Sequence, residues 1–329
     1  MQLPPTLRRA IEQELTACDG ARLRAAAAHL SECYREGGAG SAPSHGAPSG
    51  APALGNDEQR AAYLAVRLPA TLAAVVAALG WTREACDGEV HTVLDLGSGP
   101  GTALWAAAQV FPALTHATAF ERDSRMIEIA RRLAAHSAHP ALREATWLQG
   151  DLTAKLPEGA WDLVLCSYAL NELQEAQRAE FIRRAWAQTR KLLVVIEPGT
   201  KAGFANIIGL RTQLLREGAS LAAPCPNSLA CPMAAPDWCH FAARVERTAE
   251  HRRLKNATLG HEDEKFSYVA FSRYEVQHSN ARIVRHPKIF GGYTQLTLCR
   301  EGELADTTIT RSRKDDWRRL KRLGWGDAW

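Results

Sequence analysis

The run Val93-Leu94-Asp95-Leu96-Gly97-Ser98-Gly99-Pro100-Gly101 constrains this chain more than any other stretch. An apolar segment suited to a buried strand passes directly into glycines at alternate positions, then into the helix-forming Ala103–Phe111. Glycine opens backbone dihedrals closed to other residues and lets a ligand approach the main chain. The helix that follows offers unpaired N–H donors at its start. The flanking sequence repeats this rhythm. Thr92–Leu96, Ala117–Phe120, Ala145–Gln149, Leu163–Tyr168 and Leu192–Glu197 read as strands, with helices at Ser124–Ala135 and Glu175–Thr189. The alternation predicts a doubly wound α/β domain with a largely parallel sheet over residues 57–215.

Two kinds of cofactor use such a turn. A dinucleotide needs Gly-x-Gly-x-x-Gly, which seats its pyrophosphate on the helix N-terminus. Here the spacing is Gly-x-Gly-x-Gly, Pro100 fills the gap, and Asp95 stands two residues before Gly97. This resembles motif I of the class I S-adenosylmethionine (SAM)-dependent methyltransferases. The resemblance implies a Rossmann-like fold in which Asp95, Gly97, Gly99 and Gly101 bind SAM, the acid suiting its cationic amino group. Glu121, ending the second strand, is placed to accept hydrogen bonds from the ribose hydroxyls. Asp151 follows the third strand, where such enzymes commonly hold the adenine amino group.

Methyl transfer is an in-line displacement that depends on positioning and deprotonation. The fourth strand runs into Ser167-Tyr168-Ala169-Leu170-Asn171-Glu172-Leu173, which makes Tyr168, Asn171 and Glu172 the candidate catalytic residues. The same three side chains suit capping of the next helix. The stretch lacks the Asn/Asp-Pro-Pro-aromatic motif used on exocyclic base amines and the Pro-Cys nucleophile of cytosine-C5 enzymes. Cys166 follows a leucine and reads as core.

Ahead of this domain, Leu7, Ile11, Leu15, Leu23, Leu30 and Tyr34 recur at helical spacing. Residues 37–56, rich in Gly, Ala, Ser and Pro, read as a flexible loop. Asp57–Leu79 reads as helix, with Pro69 beginning a new turn. Beyond the domain lie strands at Ser267–Tyr274 and Gln295–Cys299. The division expected is 1–56, 57–215 and 216–329. No run approaches the ~18 apolar residues of a membrane helix, and the start has no apolar signal core. A net charge of +4 is too small to identify a nucleic-acid partner by itself. A cytoplasmic protein away from membranes is expected, with a monomer as the default state.

Cys225, Cys231 and Cys239 fall within fifteen residues, and Cys299 ends a later strand that pairing would bring alongside them. In a reducing compartment, clustered cysteines point to metal or to chemistry. Structural zinc favours Cys-x₂₋₄-Cys knuckles, which this stretch lacks. Wider spacing, with Pro226 and Pro232 directly after two of the cysteines, suits an iron–sulfur cluster somewhat better. Spacing leaves zinc open, and His240 is an alternative ligand.

The blocks Ala223-Pro224-Cys225-Pro226, Cys231-Pro232 and Trp238-Cys239-His240-Phe241 resemble the Rsm-twenty-two (Rsm22) family, methyltransferase-like proteins of the mitochondrial small ribosomal subunit with bacterial relatives. Arg67-Leu68-Pro69-Ala70-Thr71, Glu197-Pro198-Gly199-Thr200, Glu262-Asp263-Glu264-Lys265-Phe266-Ser267-Tyr268 and the closing Trp325-Gly326-Asp327 extend the match from about residue 57 to the end. The resemblance implies a small-subunit partner and its rRNA, a role in assembly or translation, and a 4Fe-4S cluster on Cys225, Cys231, Cys239 and Cys299. Arg244, Arg247, His251, Arg252, Arg253 and Lys255, and the seven basic residues of 311–322 with Trp317 among them, then read as RNA contacts. Three functions follow as alternatives: an rRNA methyltransferase, a non-catalytic assembly factor, and a small-molecule methyltransferase with a zinc-stabilised cap.

Overall fold

The computed structural model describes residues 1–36, 54–86, 88–233 and 235–329. The expected loop at 37–56 therefore lies, up to residue 53, outside the described residues. Helices α1 (Pro5–Thr16) and α2 (Gly20–Glu36) precede it, followed by α3 (Asp57–Val66) and α4 (Leu68–Ala85). Asn56 caps α3 by accepting from Gln59 N at 2.8 Å, and Asp57 and Glu58 in the first turn face the positive end of the helix. Pro69 sits in the first turn of α4, where its missing N–H leaves no bond unmade. Among the described residues, no single helix is long and apolar enough to cross a membrane; α4 is apolar because it is buried against the sheet.

The α/β alternation then unfolds as β1 (Thr92–Leu96), α5 (Thr102–Val110), β2 (His116–Glu121), α6 (Ser124–Ala135), α7 (Pro140–Arg143), β3 (Thr146–Gln149), β4 (Trp161–Ser167), α8 (Glu175–Ala187), β5 (Thr189–Pro198) and α9 (Lys201–Arg216). Strands β6 (Ser220–Ala223), β7 (Phe241–Glu246) and β8 (His261–Ser272) follow, with α10 (Ala249–Lys255) between the last two. The main sheet runs β3-β2-β1-β4-β5-β8-β6, with β7 also paired to β8. The first five strands are parallel, and β8 lies antiparallel to β5, β6 and β7. Five parallel strands with a switch point between β1 and β4, closed by one reversed strand, form the class I SAM-dependent methyltransferase fold, an α/β Rossmann-like sheet. Residues 57–215 supply only the parallel part of it. The edge of β5 would otherwise expose unpaired backbone, and β8 covers it from the far side of residue 216.

Strand β8 explains how the C-terminal region is held. Its first half pairs with β7 and its second half with β5 and β6, and its side chains become fully buried along the way. Trp81 of α4 packs among Phe241, Phe266 and Tyr268, with ring centroids 5.3–6.1 Å apart. Each such aromatic pair contributes about 0.5–1.5 kcal/mol beyond its area. A second sheet holds β9 (Arg282–Ile283), β10 (Lys288–Ile289), β11 (Tyr293–Arg300) and β12 (Glu303–Thr310), followed by α11 (Lys314–Leu320). The closing Trp325-Gly326-Asp327 ties this sheet back to α4: Trp81 Nε1 donates to Asp327 Oδ1 at 3.0 Å. Gly326 has φ 103°, and a Cβ there would come within 2.2 Å of the Trp81 ring, so only glycine fits.

Candidate functional site

The parallel strands end on one side of the sheet, and the turns after β1, β2 and β3 gather there around the switch point, where open α/β sheets bind ligands. Gly97, Gly99 and Gly101 all have positive φ, at 75°, 52° and 78°. Gly97 N and Ser98 N donate to Phe120 O, fastening the turn to β2. A Cβ at Gly101 would lie 2.7 Å from the Trp147 ring, whereas one at Gly99 would meet nothing within 4 Å. Gly99 therefore faces the open side of the turn. Glu121 Oε2 accepts from Gly99 N at 2.9 Å, and Oε1 accepts from the N–H groups of Arg122 and Asp123. Oε2, which accepts only once, retains acceptor capacity for a hydroxyl.

Asp95 lies beneath this turn, fully buried, and neither carboxyl oxygen has a hydrogen-bond partner. Burial pushes its carboxyl up to about 8, with the Glu121 charge adding to the effect. Ser98 Oγ and Thr102 Oγ1 are likewise buried without partners. Unsatisfied acceptors under a glycine turn fit a cationic, hydrogen-bond-donating group. Asp151 follows β3, whose Gln149 is in register with Glu121. It is exposed, and hydrogen bonds from Thr153 Oγ1 and N, at 2.6 and 2.7 Å, hold its carboxyl below the usual range. Asp95, the three glycines, Glu121 and Asp151 thus lie on or beneath the turns that follow β1, β2 and β3, which form the cofactor cleft of this reading.

The candidate catalytic residues are brought to its rim, and each is engaged within the protein. Tyr168 has φ 60°, uncommon for a bulky residue. Its hydroxyl donates to Glu264 Oε1 at 3.2 Å, and Arg67 grips the same carboxylate through both terminal nitrogens at 2.9 and 3.2 Å. Asn171 Oδ1 accepts from Asn206 Nδ2 at 2.8 Å, and Asn206 also donates to the buried Glu197, whose carboxyl burial pushes up to about 7. Glu172 pairs with Arg122 at 3.3 Å; burial raises its carboxyl, and Arg122 opposes the rise. The helix-capping alternative for Asn171 becomes a tie between the rim and α9. Sequence reading missed Glu264, Glu197 and Asn206 as members of this cluster. Arg67 and Glu264 sit in two quoted blocks, but nothing in a separation of 197 residues pairs them.

The second assembly is the cysteine region. Cys225, Cys231, Cys239 and Cys299 all line one cavity between α9, β8 and the second sheet. Register explains the fourth: Cys299 of β11 lies opposite Arg282 of β9, and Arg282 Nε donates to Pro224 O at 2.7 Å beside Cys225. Burial raises the thiols of Cys225 and Cys239, and pushes Cys299 up to about 12. The Arg211 charge opposes the rise at Cys225. Among the described residues, no three His, Cys, Asp or Glu side chains stand close enough to hold one metal ion. His240 does not line the cavity; its ring stacks on Trp238 and meets Trp325 edge-on, which removes it as the alternative ligand. The cavity carries two buried donors without partners, Arg211 Nε and Tyr268 OH.

The two basic segments part company. In 244–255, β7–β8 pairing sets Arg244 against Asp263, and the two form a bidentate pair at 2.7 and 2.8 Å. Arg247 and Lys255 both pair with Glu262, Arg253 pairs with Glu250, and His251 is fully buried. This segment is largely neutralised by the chain's own acids, so its expected phosphate-contacting role is not supported by its geometry. The C-terminal group is exposed, with Arg313 paired to Asp316 and Arg318 to Asp315. Arg311 lies over Trp317 at 5.7 Å, and its N–H bonds Gly292 O beside the turn of the β10–β11 hairpin. At that turn Ile289 is 79% exposed, and Phe290 stacks on Tyr293 with centroids 4.6 Å apart, both exposed.

Strand order, the glycine turn after β1 and the acids of the cleft define a class I methyltransferase fold carrying a four-cysteine addition. Within that class the chain belongs to the Rsm22 family: the model described as mitochondrial small ribosomal subunit Rsm22 matches residues 57–329. It is 27% identical over 293 residues to the human "Ribosome assembly protein METTL17, mitochondrial", a match covering 80% of this chain and 61% of that protein. It is 29% identical over 196 residues to the Rsm22-cox11 tandem protein 2, mitochondrial, of Schizosaccharomyces pombe, covering 54% of this chain and 26% of that one. The chain thus spans less than two thirds of either relative. Solved structures similar to it include an O-methyltransferase family protein from Burkholderia thailandensis (16% identity, TM-score 0.43, 67% of this chain and 61% of that one). Another is the magnesium protoporphyrin IX methyltransferase of Synechocystis (13% identity, TM-score 0.41, 74% and 94%).

Proposed function

We propose that this chain is a SAM-binding protein that acts on the small ribosomal subunit during its assembly. The observation that carries the cofactor assignment is Asp95, a buried carboxyl beneath the glycine turn with both oxygens unpartnered. An ammonium group would complete its bonding. Asp95, Gly97, Gly99 and Gly101 would hold the amino-acid end, Glu121 the ribose and Asp151 the adenine. SAM, when bound, supplies an electrophilic methyl group; the chain's own part is to orient it and to keep the turn dry. The ribosomal assignment rests on family membership and on the assembly role carried in the METTL17 name. The rRNA contact is assigned to the hairpin turn and the 311–322 segment, where cations and exposed aromatics adjoin.

The four-cysteine cavity is assigned to a 4Fe-4S cluster in preference to zinc. Zinc bonds sulfur at about 2.3 Å and needs its ligands nearly in mutual contact, whereas the four cysteines line a shared cavity and no three ligands among the described residues stand close enough for one ion. Arg211 Nε and Tyr268 OH offer donors to the sulfur acceptors that such a cluster carries. We place the chain in a reducing compartment, the cytoplasm, because clustered cysteines at these spacings suit metal binding better than a secreted disulfide scaffold.

A second reading, an assembly factor that transfers no methyl group, is favoured by the engagement of Tyr168, Asn171 and Glu172 in internal bonds. Mass spectrometry of small-subunit rRNA from cells with and without the gene separates the two. Loss of one methylated nucleotide, restored by wild type and not by a Gly99 variant, establishes the enzyme. An unchanged set of marks with accumulating immature subunits establishes the non-catalytic factor.

A further inference from the structure

We infer that Arg211 and Arg282 are the charge partners of the four-cysteine site, two buried cations that retain the anionic metal group bound there. The inference rests on the four-cysteine reading above and assigns roles to two residues outside the ligand set.

Among the described residues, these are the arginines buried most deeply, 5% and 4% exposed. A buried cation is costly unless an anion compensates it. Elsewhere the chain follows that rule: Arg67 has Glu264, Arg247 has Glu262, and Arg285, which also lies near the cysteines, has Asp237. Arg211 and Arg282 form no ion pair with any described carboxylate; both bond only neutral groups. Arg211 Nη2 donates to Leu229 O at 2.6 Å and to Asn227 O at 3.3 Å. Arg282 donates through Nε to Pro224 O and through Nη1 to Gly326 O at 2.9 Å. Both line the cavity of the four cysteines, one from α9 and the other from β9 of the second sheet. Arg211 keeps its Nε buried without a partner.

Charge counting completes the argument. Four thiolates around a core of two positive charges carry two negative charges in sum, and two guanidinium groups cancel them. With four neutral thiols, the same cavity would hold two uncompensated cations. The carbonyls that clamp each guanidinium belong to the loop carrying the cysteines and to the closing segment, so the two charges are set in place by the same backbone that places the ligands.

The test uses the full chain purified without oxygen and loaded with ferrous and ferric iron in equal amounts and sulfide, and in parallel with zinc. Arg211→Met and Arg282→Met are compared with Arg211→Lys and Arg282→Lys, and with Arg285→Met as a control whose arginine already has an acid. The readouts are iron and sulfide per chain, the rate of iron loss to a chelator, and melting temperature with and without metal. Each Met variant should lose metal faster by about tenfold or more, a typical effect of removing a residue that supports metal ligands. The Lys variants, which keep the charge, and Arg285→Met should stay near wild type. The Met changes should lower the melting temperature of the loaded protein more than that of the metal-free one. A purely structural role predicts instead that Lys and Met variants fail alike, with and without metal, and that result overturns the inference. Met variants that retain iron as wild type does also overturn it. A folded wild type that takes up neither metal refutes the four-cysteine reading itself, and the inference falls with it.

Discussion

Replacing Asp95 with Asn should stabilise the cofactor-free protein while abolishing its binding of SAM. Asp95 is buried without a hydrogen-bond partner, and burial, aided by the Glu121 charge, lifts its carboxyl to about 8. In the unfolded chain the same group ionises near about 3.9. At neutral pH, folding must therefore put back a proton that the unfolded chain has released. The sign follows: a carboxyl raised in the folded state contributes stability that is fully present below about pH 4 and is lost as pH climbs through 8. Each pH unit is worth about 1.4 kcal/mol, so at pH 7 the cost relative to a neutral isostere is about 4 kcal/mol. Asparagine escapes that cost but leaves a buried amide short of partners, a penalty of about 1–3 kcal/mol that the protonated acid partly shares. The expected net gain is about 2–3 kcal/mol at pH 7, shrinking towards zero near pH 5. Urea unfolding of both proteins at pH 5, 6, 7 and 8 measures it. The difference between the two curves isolates Asp95, because Glu197, pushed up to about 7 by burial, tilts both alike. Calorimetry should then show SAM binding to wild type and none to the variant. A stability gap that does not widen between pH 5 and 8, or an Asn variant that binds SAM normally, would refute the reasoning.

Three further outcomes are expected. Gly99→Arg should abolish SAM binding and cost about 1–2 kcal/mol of stability through its positive φ alone, because its side chain enters open space; Gly101→Ala should cost more, about 2–5 kcal/mol, because a contact with Trp147 adds to its positive φ. Equal melting temperatures for the two variants, read by differential scanning calorimetry, would count against that geometry. Cys231→Ser should lower metal content and destabilise residues 224–300, because metal binding is coupled to folding; unchanged metal content and hydrogen exchange there would remove the site. Phe290→Ala with Tyr293→Ala should weaken binding of single-stranded rRNA by about 1–3 kcal/mol per lost stacking contact, whereas Arg253→Ala, already paired with Glu250, should change it little. Filter binding at several salt concentrations distinguishes these outcomes.

The methyltransferase-like core was legible in the sequence because it is written in contiguous residues. A buried strand followed by alternate glycines specifies its own dihedrals and period, and Asp95, Glu121 and Asp151 fall at strand ends that the βα rhythm locates. Cys225, Cys231 and Cys239 were legible for a similar reason: their clustering in an irregular stretch is itself a local pattern. Register and long-range pairing decided the rest. β8 inserts beside β5 because that edge needs a partner, which no window of sequence reports. Asp263 faces Arg244, and Glu262 meets Arg247 and Lys255, so a basic-looking segment is neutralised only once β7 and β8 pair. Tyr168, Glu264 and Arg67 meet across separate segments, and Arg211 and Arg282 converge on the cysteines from a helix and from the second sheet. Local sequence sets the dihedrals and the faces of each element. Which charges meet, and which stay unpaired, depends on how those elements pack.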